Sequence, residues 1–362
     1  MKRRQTQKQK RSQNGFSFLK TVALVGVLLY HTFPQAVKGG YFGVVIFFIA
    51  SGYFAACSSF RQAKAGIFSI PNYYKKRLVR IYPGLLILLL SSIGILTLID
   101  PNLLRATVGE FLSIIFGYNN FYQIANNADY FRQITANTAF THLWYLSILL
   151  QFWLVWPLLT VLIDQVRRRF GSNAAIAAFG LITLLSMAVL PFRVFTMAEF
   201  EATPLYYNTF TRMSALYLGC FLGLLHAENI FPLRRIRLPA ALLGTGVWLA
   251  ATIALFVFAD GSAKWVYTFG LQGYAVFTVL IAAMIAVRKK NSPLICNSIV
   301  GTIDSYSYEV YLLQYPVLFI YQRLVTPLSA LDYLLQIVII IVLSAWLNRL
   351  STIIADLLLK KK

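Results

Sequence analysis

The feature of this sequence that most constrains its fold is a succession of long apolar runs separated by short polar segments. Ten such runs cover residues 16–33, 39–60, 82–99, 142–163, 173–191, 211–227, 238–259, 266–287, 305–322 and 331–359. Each run is close to the roughly 20 residues that a helix needs to cross the hydrocarbon core of a bilayer. With 58% hydrophobic and 12% charged residues, the chain is neither a single water-soluble globule nor a disordered polymer. We therefore expect an all-α, polytopic membrane protein with about ten transmembrane helices.

The basic residues give this arrangement an orientation. The net charge is +21, and the Lys and Arg residues lie in short clusters between the apolar runs, whereas a nucleic-acid binder would carry them on a soluble domain. On one side of the predicted membrane, 24 of them fall in residues 1–11, 61–80, 167–169, 234–237, 288–290 and 360–362, and the opposite loops hold seven. The positive-inside rule then places both termini in the cytoplasm. We expect a basic cytoplasmic tail at 1–15, a transmembrane domain at 16–359 and a basic cytoplasmic end at 360–362.

The longest outer loop covers about residues 100–140 and is rich in polar side chains. It contains Asn119, Asn120, Asn126, Asn127, Asp129 and Asn137. Two readings stay open, since such side chains either contact sugars or are simply solvated. The apolar segment 111–116 inside this loop is expected to lie in the membrane interface.

Two ionisable side chains, Lys20 and His31, lie in the first predicted span. They are 11 residues apart, and 11 helical steps end about 20° past three full turns, so both project from one face at a backbone separation of about 16 Å. Ionisable groups inside spans are costly and mark functional sites by default. The alternatives are a lysine that snorkels to the cytoplasmic surface and a hydrogen-bonded interfacial histidine.

The context of these residues carries an ordered set of motifs. Lys20 and His31 are followed by Gly39-Gly40, then by Phe47-Phe48-Ile49-Ala50-Ser51-Gly52-Tyr53, then by Arg77-Leu78-Val79-Arg80-Ile81-Tyr82-Pro83. Further on come the segments 142–157, Thr211-Arg212 with Gly219, and 305–316. In this order they resemble the acyltransferase-3 family of integral membrane acyltransferases. The resemblance covers nearly the whole chain and is closest to the membrane domain of bacterial peptidoglycan O-acetyltransferases.

Four positions depart from the family pattern. Lys20 stands where the family has arginine, which keeps the charge but loses the planar fork. Val45 and Leu149 stand where members carry aspartate and glutamate, and Gln314 stands where many carry histidine. His31 is retained. A catalytically degenerate partner of another acyltransferase is therefore an alternative to an active enzyme.

The resemblance implies a function and a set of roles. The donor would be cytoplasmic acetyl-CoA or another acyl-CoA, and the acceptor a hydroxyl of an extracytoplasmic cell-envelope glycan. His31 would act as general base or as acyl-accepting nucleophile. Lys20 would hold a phosphate or a pantetheine amide of the donor, or polarise the thioester carbonyl. Ser147 and Gln151, four residues apart on one helix face, would orient His31.

The remaining candidates are expected to bind substrate. Arg77 and Arg80, with Tyr82 in the same motif, would clamp the phosphates of CoA, although basic clusters at span ends are also ordinary topology anchors. Arg212 and Trp144 would contact the acceptor glycan, with interfacial anchoring as the alternative reading. The last of these candidates is Gln314, in the closing motif.

We expect no permanently bound cofactor and no metal, because no His/Glu cluster has zinc-ligand spacing. The protein is expected in a bacterial cell membrane. Some relatives append an extracytoplasmic hydrolase-like domain, and this chain ends at Lys362. It is accordingly expected to act alone or to pass the acyl group to a separate exported hydrolase-like acyltransferase. A transporter is the other alternative, although neither inverted repeats nor broken helices are evident.

Overall fold

The structure is a computed structural model that describes residues 2–99, 101–131, 138–230, 236–287 and 295–360. These residues form helices joined by short connections, with no strand among them. The prediction of an all-α polytopic membrane protein is confirmed.

Fourteen α-helices follow one another along the described ranges. They are α1 (Lys2–Thr32), α2 (Gly43–Lys64), α3 (Ile70–Ile99), α4 (Asn102–Ile115), α5 (Asn119–Ala125), α6 (Trp144–Phe170), α7 (Ser172–Thr196), α8 (Ala202–Tyr207), α9 (Thr209–Ala227), α10 (Leu238–Phe258), α11 (Leu271–Val287), α12 (Ser298–Ser305), α13 (Ser307–Leu324) and α14 (Ala330–Lys360). Short 3₁₀ turns at Gly40–Phe42 and Thr141–Leu143 precede α2 and α6, and a π-helical turn at Val266–Gly270 precedes α11.

Eight of the helices within the described ranges are long and apolar enough to cross a membrane. They lie on α1, α2, α3, α6, α7, α10, α14 and the segment Val266–Ile285. The predicted spans 211–227 and 305–322 correspond to α9 and α13, helices of 19 and 18 residues that are not among the eight. Both carry buried polar side chains, such as Arg212 and Gln314.

Part of the basic charge behind the predicted orientation lies outside the described residues. This part comprises Arg132, Arg234, Arg235, Arg288, Lys289, Lys290, Lys361 and Lys362. Asn137 of the long polar loop lies outside them as well. The cytoplasmic placement of the termini therefore stays a prediction.

The chain divides into two compact units. The first unit consists of Met1–Phe68 and Val155–Ser305, and the second unit consists of Ser69–Leu154 and Tyr306–Lys362. The boundary at Leu154 falls inside α6, so this one helix contributes to both units.

The core of the first unit is a backbone contact between α2 and α9. A Cβ added to Gly52 would lie 2.1 Å from the carbonyl oxygen of Leu216, and one added to Gly219 would lie 2.1 Å from that of Ile49. No side chain fits in that space, so only glycine lets the two helices approach this closely. The glycines of two motifs noted in the sequence are thus explained by packing.

In the second unit, α4 and α5 form a hairpin that turns back along α3. The hydroxyl of Tyr82 donates to the carbonyl oxygen of Ile115 at 2.9 Å, and Tyr82 lies about 25 Å along α3 from its end at Ile99. The descending helix α4 spans about 20 Å, and Gly117 turns the chain with φ = +74°. The segment predicted as an interfacial part of an outer loop therefore packs along α3, and its location in the membrane interface stays a prediction.

Candidate functional site

The inner end of the predicted stripe on α1 contains an ion pair. The ammonium group of Lys20 pairs with the Asp304 carboxylate on α12, and the hydroxyl of Ser17 donates to the other oxygen of Asp304 at 2.6 Å. Ser17 and Lys20 are three residues apart and therefore share a helix face. The side chains of Lys20 and Asp304 remain 23% and 16% exposed, so a ligand can reach them.

Sequence analysis missed Asp304. An acidic residue directly before the predicted span 305–322 was a signal of function, but nothing in the spacing pointed to Lys20 as its partner.

Aromatic side chains line the same end of α1. The Lys20 ammonium lies 5.7 Å from the ring centroid of Phe54, and Phe16 stacks on Tyr53 at 4.2 Å. The hydroxyl of Tyr53 is hydrogen-bonded to Nδ1 of His226 at 2.5 Å. His226 was not among the sequence candidates, and its position near the end of α9 gave no chemical signal.

The outer end of the stripe is a buried cluster of tyrosines around His31. His31 is 7% exposed and lies edge-on to Tyr30 at 5.1 Å, and Tyr30 meets Tyr41 at 5.9 Å. Tyr41 in turn contacts Tyr206, and the guanidinium of Arg212 lies 4.7 Å from the Tyr206 ring centroid. Arg212 and the imidazole are thus connected through a chain of three tyrosine rings within the first unit.

Glycines position this cluster. A Cβ added to Gly40 would lie 2.2 Å from the carbonyl oxygen of Gly26 on α1, and the amide of Gly39 donates to the carbonyl oxygen of Phe256 at 2.9 Å. The turn that carries Tyr41 is therefore held against α1 and α10. At the start of α9, Asn208 accepts a hydrogen bond from the amide of Phe210, which caps the helix one turn before Arg212.

The second unit holds a cavity of about 210 Å³. Its lining includes three of the predicted binding residues, Arg77, Tyr82 and Gln151, together with Trp153. The guanidinium of Arg77 lies 4.8 Å from the Trp153 ring centroid, an arrangement that fixes the cation at the cavity wall. Arg80 is exposed and does not line this cavity, so the two arginines do not form one clamp there.

The α4–α5 hairpin is hydrogen-bonded to Ser147 and Gln151, the two α6 residues that were predicted to orient His31. The amide of Asn119 donates to Oγ of Ser147 at 3.0 Å, and Nε2 of Gln151 donates to the carbonyl oxygen of Gly117 and to Oδ1 of Asn120, both at 2.8 Å. Asn119 and Asn120 are buried. These two asparagines are thus internal structural groups, whereas Asn126 and Asn127 are exposed.

A buried carboxyl group anchors the hairpin. Oε1 of Glu110 accepts hydrogen bonds from Gln123 and Thr138, both at 2.6 Å, and Gln123 also donates to Asn119 at 3.1 Å. Burial raises the pKa of Glu110 from its usual 4.5 to about 7, although the hydrogen bonds from Thr138 and Gln123 lower it. Glu110 was not a candidate from the sequence, because an isolated acidic residue in a predicted outer loop is ordinarily solvated.

The closing motif on α13 lies beside the start of α6. His142 stacks on Tyr315 with ring centroids 5.1 Å apart, and the hydroxyl of Tyr311 donates to the carbonyl oxygen of His142 at 2.9 Å. Trp144 is buried, and its ring lies nearly perpendicular to that of Tyr130, with centroids 5.9 Å apart.

Gln314 on α13 is fully buried. Neither its amide nitrogen nor its amide oxygen has a hydrogen-bond partner in the part of the chain that the structure describes. Such an amide is costly unless something binds it.

Comparisons with known proteins agree with the resemblance that the sequence motifs carry. A family model with the description Acyltransferase domain matches residues 13–349. O-acetyltransferase OatA of Staphylococcus aureus strain NCTC 8325 / PS 47 is 27% identical over 315 residues, covering 84% of this chain and 50% of the relative. The protein of the same name from strain MRSA252 matches with the same values. The chain spans about half the length of these relatives, and no solved structure matches it.

Proposed function

Because the chain belongs to the acyltransferase-3 family, we propose that it is a membrane O-acyltransferase of a bacterial cell membrane. It transfers an acetyl group from a cytoplasmic acyl-CoA to a hydroxyl of an extracytoplasmic cell-envelope glycan. The observation that carries the proposal is the arrangement on α1. One unbroken helix presents an accessible amine near its inner end and a buried imidazole near its outer end.

The outer cluster supplies the acid–base chemistry. His31 removes the proton from the acceptor hydroxyl as its oxygen attacks the acyl carbonyl, and the thiolate of CoA leaves. The tyrosine rings around it offer apolar faces with polar rims, a surface suited to a sugar ring. Arg212 lies at the edge of the same cluster, where it can orient the acceptor.

Two separate groups of residues are candidates for binding the acyl-CoA donor. In the first unit, Lys20 provides N–H donors to the acyl-CoA. In the second unit, the cavity with Arg77 and Tyr82 provides a cation beside an aromatic wall, which suits a phosphate or the adenine base of a nucleotide. Gln314, with an unsatisfied buried amide, is a further candidate contact with substrate.

The alternative of a degenerate family member rests on Val45 and Leu149, which are buried apolar residues. Two observations favour activity instead. His31 has an aromatic environment, and carboxyl groups are present elsewhere, at Asp304 beside Lys20 and at Glu110, which is connected to Ser147 through Gln123 and Asn119. Apolar residues thus occupy the family's acidic positions, but acidic side chains lie near other motif residues.

The test is His31→Ala in cells and in detergent. We expect ester-linked acetate on the envelope glycan to fall to background while the amount of membrane protein is unchanged. Purified wild-type protein should bind acetyl-CoA, which neither a transporter of another solute nor an inert partner subunit requires. Unaltered glycan esterification in the variant, together with no binding of acetyl-CoA, would refute the proposed function.

An assay of acetyl transfer by the purified protein to a soluble glycan fragment tests whether the chain acts alone. If acetylation of the fragment requires a second exported protein, the acyl group is passed on to a separate acyltransferase before it reaches the polymer.

A further inference from the structure

The ion pair at the inner end of α1 bears on which part of the donor Lys20 can bind. Lys20, Asp304 and Ser17 form a closed set in which one carboxylate oxygen meets the ammonium and the other accepts from the hydroxyl. The pair is formally neutral. An incoming phosphate would have to approach a carboxylate of the same sign, and like charges at this range repel.

The same set is well suited to a neutral group that both donates and accepts. A lysine ammonium has three N–H donors, and Asp304 occupies the direction of one. A carboxylate offers about four lone-pair directions, of which the contacts with Lys20 and Ser17 use two. An amide presents a carbonyl oxygen and an N–H on opposite sides, so it can accept from Lys20 while it donates to Asp304.

We propose that the Lys20–Asp304 pair binds an amide of the donor's pantetheine arm and not the donor's phosphates. This inference rests on the proposed function and identifies the chemical group recognised at Lys20. Asp304 becomes the residue that determines specificity, because it cancels the positive charge that would otherwise attract phosphate.

The surroundings of the pair agree with this reading. The Phe54 ring lies beneath the ammonium, and Phe16 packs against both Phe54 and Tyr53, so the approach to the pair is apolar on this side. An alkyl chain interrupted by amides matches such a wall. An arm held here lies along the stripe of α1, with its thioester end free to extend toward His31.

The chain supplies a matched control within the same unit. Glu228 is held by the ammonium of Lys64 at 2.9 Å and by the hydroxyl of Ser172 at 2.7 Å, both at one carboxylate oxygen, which gives a second set of lysine, carboxylate and serine. Lys64 lies at the opposite end of α2 from the His31 cluster and has no part in the proposed site. Glu228→Gln therefore reports what the loss of such a pair does to the fold alone.

The experiment measures the binding of three probes to the full chain in detergent: acetyl-CoA, S-acetylpantetheine, which lacks the nucleotide and phosphates, and adenosine 3′,5′-bisphosphate. Lys20→Met should weaken acetyl-CoA and S-acetylpantetheine by the same factor, about tenfold for one lost charge-assisted hydrogen bond. Binding of the bisphosphate should not change. Lys20→Arg should retain binding of both thioesters, since it keeps the charge.

Asp304→Asn should raise the affinity for one probe and lower the affinity for another. It exposes the charge of Lys20, so the bisphosphate should bind more tightly and with a new dependence on salt, while S-acetylpantetheine should bind more weakly. Glu228→Gln should leave all three affinities unchanged. Melting temperatures of all variants establish that they are folded.

The outcomes separate this inference from the proposed function. If Lys20→Met weakens acetyl-CoA and the bisphosphate but not S-acetylpantetheine, Lys20 is a phosphate site and the inference is wrong while the function stands. If Lys20→Met and Asp304→Asn change the melting temperature but none of the three affinities, the ion pair has only a structural role and the inference is also wrong. If the wild-type protein binds neither thioester, the proposed function fails and takes the inference with it.

Discussion

Gln314 and Gln336 pose the same energetic problem within the second unit. Both are fully buried, and neither amide has a hydrogen-bond partner among the residues that the structure describes. An unsatisfied buried amide costs roughly 1–3 kcal/mol, and an apolar group of similar shape removes that cost. Gln314 lies in the closing motif of the family, whereas Gln336 lies on α14 outside any motif.

We predict that Gln314→Leu raises the melting temperature and lowers acetyl transfer at least tenfold, because we propose that the amide binds substrate. Gln336→Leu should raise the melting temperature to a similar extent and leave transfer unchanged. Thermal unfolding in detergent and an acetylation assay measure the two effects. Full activity in the Gln314 variant would show that this amide has no part in binding.

A second prediction concerns the glycines between α2 and α9. Gly219→Ala places a methyl group 2.1 Å from the carbonyl oxygen of Ile49, so the helices must separate. Overpacking of this kind costs typically 1–3 kcal/mol, and the melting temperature should fall accordingly. Gly246→Ala on α10 is the control, since a Cβ there meets nothing within 4 Å and alanine favours the helix. Equal stability of the two variants would contradict the described packing.

For single residues, the sequence predicted those spatial relations that depend only on residues close together in the chain. Lys20 and His31 lie on one helix, so their shared face follows from helical geometry alone. Asp304 and His226 reach their partners across a large sequence separation, and only the tertiary packing of the first unit reveals these contacts.

Among the elements, the hairpin of α4 and α5 differs most from expectation. It brings Asn119 and Asn120 onto Ser147 and Gln151, the two polar residues of the α6 motif. The polar side chains of this α6 motif are therefore hydrogen-bonded to the hairpin: Ser147 accepts from it and Gln151 donates to it. Oγ of Ser147 already accepts a hydrogen bond from the amide of Asn119. That Ser147 orients His31 remains a prediction.

The hairpin should make stability depend on pH through Glu110. Its pKa is raised by burial from 4.5 to about 7, so the folded protein retains a proton that the unfolded chain releases. The stabilisation is fully present below about pH 4.5 and is lost as the pH rises through about 7. A shift of this size corresponds to roughly 3 kcal/mol.

Glu110→Gln should remove this dependence, because the neutral amide keeps an oxygen to accept from Gln123 and Thr138. The melting temperature of the variant relative to wild type should increase steadily between pH 4.5 and pH 7. Glu201→Gln, at an exposed position before α8, should follow wild type throughout. Parallel curves for the wild type and the Glu110 variant would exclude a buried, proton-binding carboxyl group.

Sequence patterns located the helices of the spans well but did not predict this hairpin. A span is recognised by about 20 consecutive apolar residues, and α4, at 14 residues, is too short to give that signal. Its apolar residues therefore resembled an interfacial segment, and the buried asparagines resembled solvated ones. Only the hydrogen-bond partners on α3 and α6 show that these residues are packed against protein and not solvated.

For the whole molecule, the distribution of basic residues predicts that both termini are cytoplasmic. A fluorescent protein fused to either end should fluoresce in bacterial cells, since it folds in the cytoplasm. Alkaline phosphatase inserted at Ser262, in the connection between α10 and the π-helical turn, should be active because that connection is predicted to face outward. Phosphatase activity at a terminus would reverse the proposed direction of acyl transfer.

The division into two units could not be foreseen from the sequence. The hydropathy pattern presents a single series of spans, and the boundary within α6 carries no compositional mark at Leu154. The family motifs are divided between the units, with Lys20, His31 and Arg212 in the first and Arg77, Gln151 and Gln314 in the second. Motif order along a chain therefore indicates a family without indicating which residues share a compact unit.

The direct backbone contact of α2 with α9 has a mechanical consequence. Helices that touch through glycines have no side chains between them to adjust, so they can neither slide nor rotate past each other without breaking contact. Phe48 on α2 and Arg212 on α9 should keep a constant spacing throughout turnover. Any conformational change within the first unit must therefore come from the helices that surround this rigid pair.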